Sequence, residues 1–191
     1  FNMIEHLHSL QKEEKAIVLN KNIKETQEFV PAFSYGDRTR SFLKVQDGCD
    51  YFCTFCTIPL ARGKSRNASI AETVQEAHKI AQTDIKEVVL TGVNIGDFGQ
   101  GGEENFLDLI QALDTVEGID RFRISSIEPN LLTNEIIHFC LETSKRFVPH
   151  FHIPLQSGNN RLLKAMRRKY DRELYAERIA YIKKLEPNAC I

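Results

Sequence analysis

From Ser41 onward the chain alternates short β-type runs with segments of helical period, and that alternation constrains the fold more than any other feature of the sequence. Two β-runs separated by a crossover of a dozen or more residues sit in one sheet most readily as parallel neighbours, with the crossover helix covering a face, so the expected class is α/β. Strands are expected at Ser41 to Val45, Glu87 to Thr91, Arg121 to Ser125 and His150 to Leu155, with a fifth beginning at Ala189. Between the first two, Ser69 and Glu72 stand in capping-box spacing ahead of a stripe of Ile70, Val74, Ala77 and Ala81. A second helix spans about Phe106 to Val116 and buries Leu109, Ile110 and Leu113. A third starts from the cap Thr133 and runs through Ile136, Ile137, Cys140 and Leu141, where Cys140 reads as a small core residue. A short helix around Arg161 to Arg167 and a longer one from an Asp171 cap through Tyr175, Ile179 and Ile182 complete the pattern.

Residues 1–40 carry weaker signals: a helical stretch around Ile4 to Leu10, an apolar triplet Ile17 to Leu19 and a polar run with Pro31. They are expected to be the tail of a preceding domain and a linker, with 41–191 as the core. Phe1 in place of an initiator Met, and no basic stretch followed by an apolar core, lead to the expectation of a piece of a longer protein. A sheet that ends near Ile191 leaves the fourth strand as an open edge, and self-association through that edge is expected.

Strand alternation adds a clue to function. In Arg121 to Ser125 the apolar side chains face the helices while Arg123 and Ser125 face the other way, and His150 and His152 alternate likewise with Phe151 and Ile153. A small closed barrel packs its interior with branched apolar residues, so polar inward positions point to a wider lumen that holds a ligand, or else to paired Arg and satisfied core His. Polar residues also follow each strand: a cysteine loop after the first, Thr91, Gly92 and Asn94 after the second, Ser126 and Glu128 after the third, Gln156 and Ser157 after the fourth. Parallel α/β folds place their sites at these carboxyl ends.

The loop after the first strand carries Cys49, Cys53 and Cys56 as C-x3-C-x2-C. Three thiolates at that spacing can converge on one inorganic centre. No fourth Cys or His lies nearby, which a closed zinc site requires and an iron–sulfur cube with one open iron does not. Five cysteines, three clustered and two isolated, argue against a disulfide framework and for the cytoplasm. No apolar run approaches the roughly 20 residues of a membrane helix. The net charge of −1 does not by itself call for nucleic acid, although basic groups occur at Arg38/Arg40, Arg62/Lys64/Arg66 and Arg167/Arg168/Lys169, each of which is most simply a solvated face.

The cysteine loop, together with Leu90 to Asp97, Ser125 to Pro129 and His152 to Gly158, resembles the radical S-adenosylmethionine (SAM) enzymes, over about Thr39 to Leu185. The segment from Val45 to Arg66 is similar to the methylthiotransferases that modify tRNA adenosines. The wording of Asp47 to Phe52 and Ile58 to Gly63 resembles the threonylcarbamoyladenosine branch more than the isopentenyladenosine or ribosomal-protein branches. The resemblance implies a partial (β/α) barrel, here cut after about four βα units. It implies that Cys49, Cys53 and Cys56 bind three irons of a [4Fe-4S] cluster and that the fourth iron is chelated by SAM. It further implies that Phe55 packs near the adenine, that Thr91, Gly92 and Asn94 form the turn receiving the methionine ammonium, and that Ser125, Glu128 and Gln156 contact the ribose or carboxylate. Gly92 permits close backbone approach, while the departure from the acidic ending of many superfamily members leaves the Asn94 side chain without an inherited role.

The implied reaction is reductive cleavage of SAM to a 5′-deoxyadenosyl radical, hydrogen removal from C2 of the modified adenine, sulfur insertion, and methylation of that sulfur by a second SAM. It requires tRNA, an electron donor, and a second [4Fe-4S] cluster in an upstream domain. Three other readings stay open: a methylthiotransferase for isopentenyladenosine tRNA or a ribosomal protein, another radical SAM enzyme, and a zinc-stabilised nucleic-acid-binding module that recruits His78, His138 or His152 as a further ligand.

Overall fold

The computed structural model describes residues 22–26, 28–36 and 39–191; the expected helix around Ile4 to Leu10, the triplet Ile17 to Leu19 and Arg38 lie outside the described residues. A four-stranded sheet runs in the order β1 (Ala32–Phe33), β2 (Arg40–Lys44), β3 (Glu87–Thr91) and β4 (Arg121–Ile124). β2, β3 and β4 are parallel, in register from Arg40 through Glu87 to Arg121. This is the α/β arrangement expected from the alternation.

β2 and β4 each bury one face, and β3 buries both, with Val89 opposite Val88 and Leu90. Leu43, Val88, Leu90, Phe122 and Ile124 pack beneath the helices, and the alternate side chains of β2 and β4 stay partly open. On the open face Glu87 pairs with Arg40, Arg121 and Arg123, the last through Nε–H donated to Oε1 at 3.3 Å. Arg123 is therefore a paired arginine at the amino end of the sheet, away from the cysteine loop.

The helices form where the caps say they should. In α2 (Ile70–Ala81) the Ser69 hydroxyl accepts from the Glu72 amide while the Glu72 carboxylate accepts from the Ser69 amide. Its innermost residues are Thr73, Ala77 and Ile80, with Ile70, Val74 and Ala81 partly buried beside them, so the buried stripe lies slightly around the helix from the apolar one. α3 (Phe106–Asp114) has a second capping box, Asn105 with Asp108, and buries Leu109, Ile110 and Leu113 as expected. α4 (Asn134–His138) starts from Thr133 and widens into a π turn over Phe139–Thr143 that places Cys140 in the core. α5 (Asn160–Ala165) and α6 (Arg172–Leu185) begin at Asn159 and Asp171.

A further short α-helix, α1 (Ile58–Arg62), lies directly after the cysteine loop, where no helix is expected from the sequence. Its five residues are too few for a periodic stripe, but Pro59 sits at its start, where a missing N–H costs nothing.

The expected fourth strand, His150 to Leu155, is not a continuous strand. Isolated parallel bridges join Phe147 to Phe122, His152 to Ser126 and His150 to Cys190. Pro149 and Pro154 supply no N–H, and the His150 amide turns back on Val148 O at 2.7 Å, so no uninterrupted ladder can form. The expected fifth strand is a single bridge: Phe151 N–H donates to Cys190 O and Cys190 N–H to Pro149 O. At the opposite edge, Ala32–Phe33, within the stretch read as linker, pairs antiparallel with Leu43 and Lys44. No helix among the described residues is long and apolar enough to cross a membrane.

Candidate functional site

The cysteine loop is tied down by polar side chains at its entry. Gln46, 1% exposed, donates from Nε2 to Asp47 O, Gly48 O and Ser65 Oγ, while its Oε1 accepts the amides of Val93 and Asn94 at 2.9 Å each. One side chain thus locks the loop after β2 to the turn after β3. Asp47 accepts from the Gly48 amide at 2.8 Å and pairs with Lys44, Arg62 and Arg66. Burial by itself raises the Asp47 pKa, but the Gly48 amide and the Lys44 and Arg66 charges outweigh it and hold the carboxyl below its ordinary value.

Gly48 adopts φ 71°, and a Cβ there would stand 1.9 Å from Lys64 O, so only glycine lets the returning 63–66 segment lie against the loop. Cys49 N–H donates to Gly63 O, Cys56 N–H to Cys53 O, and Thr54 N–H to Met166 O at 3.3 Å. Phe52, at φ 44° and half exposed, turns the chain between the first two cysteines.

Cys49, Cys53 and Cys56 line one cavity of about 190 Å³. Phe55, Asn94, Glu128 and Gln156 line it too, so the loops after β2, β3, β4 and the 150–155 segment converge there, at the carboxyl ends of the parallel strands. Thr91 and Gly92 line a neighbouring cavity with Lys44, Gln46 and Asp47, and Gly92 packs so closely on Gln46 that a Cβ would stand 2.9 Å from its Oε1. Ser125 lies outside both, its amide bonded to Leu90 O, and Ser126 takes the place on the wall. His78, His138 and His152 do not line the cysteine cavity.

Two acceptors at this cavity are buried with no hydrogen-bond partner among the described residues: Asn94 Oδ1 and Glu128 Oε2. Asn94 Nδ2 is already committed to Asp97 Oδ2 at 2.7 Å, and Glu128 Oε1 to Arg168 at 2.6 Å. A bare buried acceptor is costly unless a ligand brings a donor. Burial raises the Glu128 pKa despite the opposing Arg168 charge, and it raises the Cys49 thiol to about 11. Behind Asn94, burial lifts Asp97 to about 6 against the Asn94 hydrogen bond.

Arg168 is a functional residue that no motif spacing singles out. It stands in the basic run 167–169, yet its side chain is only 5% exposed and points at Cys53 and Glu128. Tyr51, which accepts a hydrogen bond from Asn130 at 2.7 Å, also joins the wall unannounced. Tyr170 two residues after Arg168 is the one local hint that this segment packs inward, since a buried aromatic rarely follows a fully solvated run.

The family described as the radical SAM superfamily matches residues 43–190. The chain is 47% identical over 164 residues to threonylcarbamoyladenosine tRNA methylthiotransferase MtaB of Bacillus subtilis, covering 85% of this chain and 36% of that protein. It is 39% identical over 184 residues to the protein of the same name in Aquifex aeolicus (95% and 44%). It is 36% identical over 154 residues to tRNA-2-methylthio-N(6)-dimethylallyladenosine synthase of Pelotomaculum thermopropionicum (80% and 34%). The chain thus spans less than half the length of these relatives. Among solved structures, the radical SAM methyltransferase TsrM of Kitasatospora setae superposes with a TM-score of 0.63 at 14% identity (76% of this chain, 28% of that one). The cobalamin-dependent SAM radical enzyme OxsB gives 0.60 at 18% (76% and 22%). At such identities the likeness concerns the fold alone. With the cysteine loop at the carboxyl end of a parallel sheet and the profile match across most of its length, this chain belongs to the radical SAM superfamily.

Proposed function

We propose that this chain is the SAM-cleaving core, residues 41–191, of a tRNA methylthiotransferase that acts on C2 of N6-threonylcarbamoyladenosine, with residues 1–40 as the tail of a preceding domain and a linker whose Ala32–Phe33 segment adds an edge strand to the core sheet. The observation that carries the proposal is the single cavity that joins Cys49, Cys53 and Cys56 to two bare acceptors, Asn94 Oδ1 and Glu128 Oε2.

The donor set fits a [4Fe-4S] cluster better than zinc. A zinc ion draws all its ligands to about 2.3 Å of one point, and the described residues include no group of three or more His, Cys, Asp or Glu so gathered. A cube takes each thiolate at a different corner, so cysteines spread around a cavity wall suit it. Cys49, Cys53 and Cys56 would hold the cluster. SAM brings an ammonium and ribose hydroxyls, the donors that Asn94 and Glu128 lack. Phe55, Ser126 and Gln156 would contact it from the same wall, and Thr91 and Gly92 from the adjoining turn. When bound, this pair supplies the reductive breaking of a C–S bond. Protein groups orient the nucleotide and keep water out: Gln46 fixes the 92–94 turn against the cysteine loop, and Glu128, held by Arg168, offers its free oxygen to the ligand.

The 47% and 39% relatives support the threonylcarbamoyladenosine branch over the dimethylallyladenosine branch, the alternative substrate, at 36%. The proposal includes a second [4Fe-4S] cluster upstream of this region, tRNA and an electron donor as partners, a cytoplasmic location, and pairing of this chain alone through an open sheet edge. The test is anaerobic reconstitution followed by iron and sulfide quantitation and electron paramagnetic resonance with and without SAM. About four irons and a spectrum that changes on adding SAM are expected; a colourless protein that retains zinc would sink the proposal. Nucleoside mass spectrometry of tRNA from cells lacking the gene then separates the two substrate branches.

A further inference from the structure

Arg168 makes three directed hydrogen bonds from a buried guanidinium. Nη1–H donates to Cys53 Sγ at 3.2 Å, Nη2–H to Glu128 Oε1 at 2.6 Å and Nε–H to the Tyr170 hydroxyl at 3.2 Å. Its Cζ lies 5.3 Å from the Tyr170 ring centroid and 6.0 Å from that of Phe55. The Tyr170 hydroxyl in turn bonds Pro154 O at 2.6 Å and Leu155 O at 3.0 Å, just before Gln156. Arg167, at φ 59°, provides the backward turn that swings the Arg168 side chain inward, and the Met166 carbonyl accepts the Thr54 amide from within the cysteine loop.

Burying a guanidinium is expensive and is tolerated where its N–H groups and charge are met. Here one carboxylate, Glu128, balances the charge, and a neutral Cys53 thiol is a weak acceptor for a charged donor. A cluster-bound cysteine sulfur carries negative charge, so the Arg168 N–H at 3.2 Å makes a charge-assisted bond with it about twice as strong as a neutral one. Hydrogen bonds and positive charge at a cluster sulfur stabilise the more negative, reduced cluster and so raise its reduction potential.

We infer that Arg168 is a positioning residue for the cluster: it holds the Cys53 sulfur and Glu128 in one network and sets the reduction potential at which the core accepts its electron. The inference rests on the proposed cluster at Cys49, Cys53 and Cys56.

The test is a potentiometric titration of the anaerobically reconstituted chain followed by electron paramagnetic resonance. Arg168→Met removes both the charge and the donor, so its midpoint falls by at least about 59 mV, the one-electron equivalent of tenfold. Glu128→Gln removes the opposing charge while leaving the Cys53 bond, so its midpoint rises. Disruption of packing alone does not give opposite signs. If Arg168→Met retains no iron, Arg168→Lys decides the matter, since a lysine keeps the charge, loses the fork, and gives a smaller fall. A wild-type midpoint in the variant that holds a cluster, or shifts of the same sign for Arg168 and Glu128 variants, overturns the inference. A wild-type chain that builds no cluster defeats the function proposal instead, and the inference falls with it.

Discussion

The sheet with its covering helices and the loop that carries the cysteines are held together by different physics. Beneath α2 and α3, Leu43, Val88, Leu90, Ile110 and Leu113 are completely buried, and little but apolar contact joins strand to helix there. In the cysteine loop the contacts are polar: Gln46 with five hydrogen bonds, Asp47 among three cations, Arg168 across to Cys53. Apolar packing is non-directional and forgives exchange of one branched residue for another, whereas the polar scaffold aims atoms. The molecule keeps its rigidity in one region and its directed chemistry in the other, and the second leans on the first.

The comparison breaks most visibly in the core. Phe122 is fully buried and stacks on Phe147 with ring centroids 5.3 Å apart, so Phe122→Ala is expected to cost about 3–5 kcal/mol, read from the urea midpoint. A loss below 1 kcal/mol would mean that the core does not anchor the sheet.

The site region sharpens the contrast because there a substitution should stabilise. Asp97 is nearly buried and its folded pKa is about 6, above the ordinary carboxylate value. The folded chain therefore binds the proton more tightly than the unfolded one, and stability is greatest below the unfolded pKa and is lost as pH rises through about 6. Asp97→Asn removes that titration while retaining an acceptor for Asn94. It should match wild type near pH 4 and exceed it at pH 7.5 by roughly 3 kcal/mol at most. A pH-independent difference in urea denaturation between the two proteins would refute this.

The smallest effect belongs to a local device of the regular half. Ser69→Ala removes one arm of the α2 capping box and should cost about 1 kcal/mol by thermal or urea unfolding, with the cysteine cavity unaffected.

What could be foreseen follows from distance along the chain. The Ser69–Glu72 box joins residues three positions apart, as does Asn105–Asp108, and the alternation that buries Phe122 and Ile124 needs only neighbours. Such features act within one element and are legible in order. The 150–155 segment reads as a strand because its apolar alternation is regular, while two prolines deny it a ladder, and the Ala32–Phe33 strand is too short to announce itself. α1 was missed because one and a half turns carry no period.

The amino-acid order alone determined the parallel α/β plan, the placement of the cysteines in the loop after β2, and most helix starts, since each depends on residues a few positions apart. Only the tertiary structure decided that Ser126 rather than Ser125 faces the cysteine cavity, that Thr91 and Gly92 line the next one, and that Arg168 leaves its basic neighbours to meet Cys53 across 115 residues. A buried charge selects its partners by where the whole sheet brings them, and no local pattern encodes a meeting between segments so far apart.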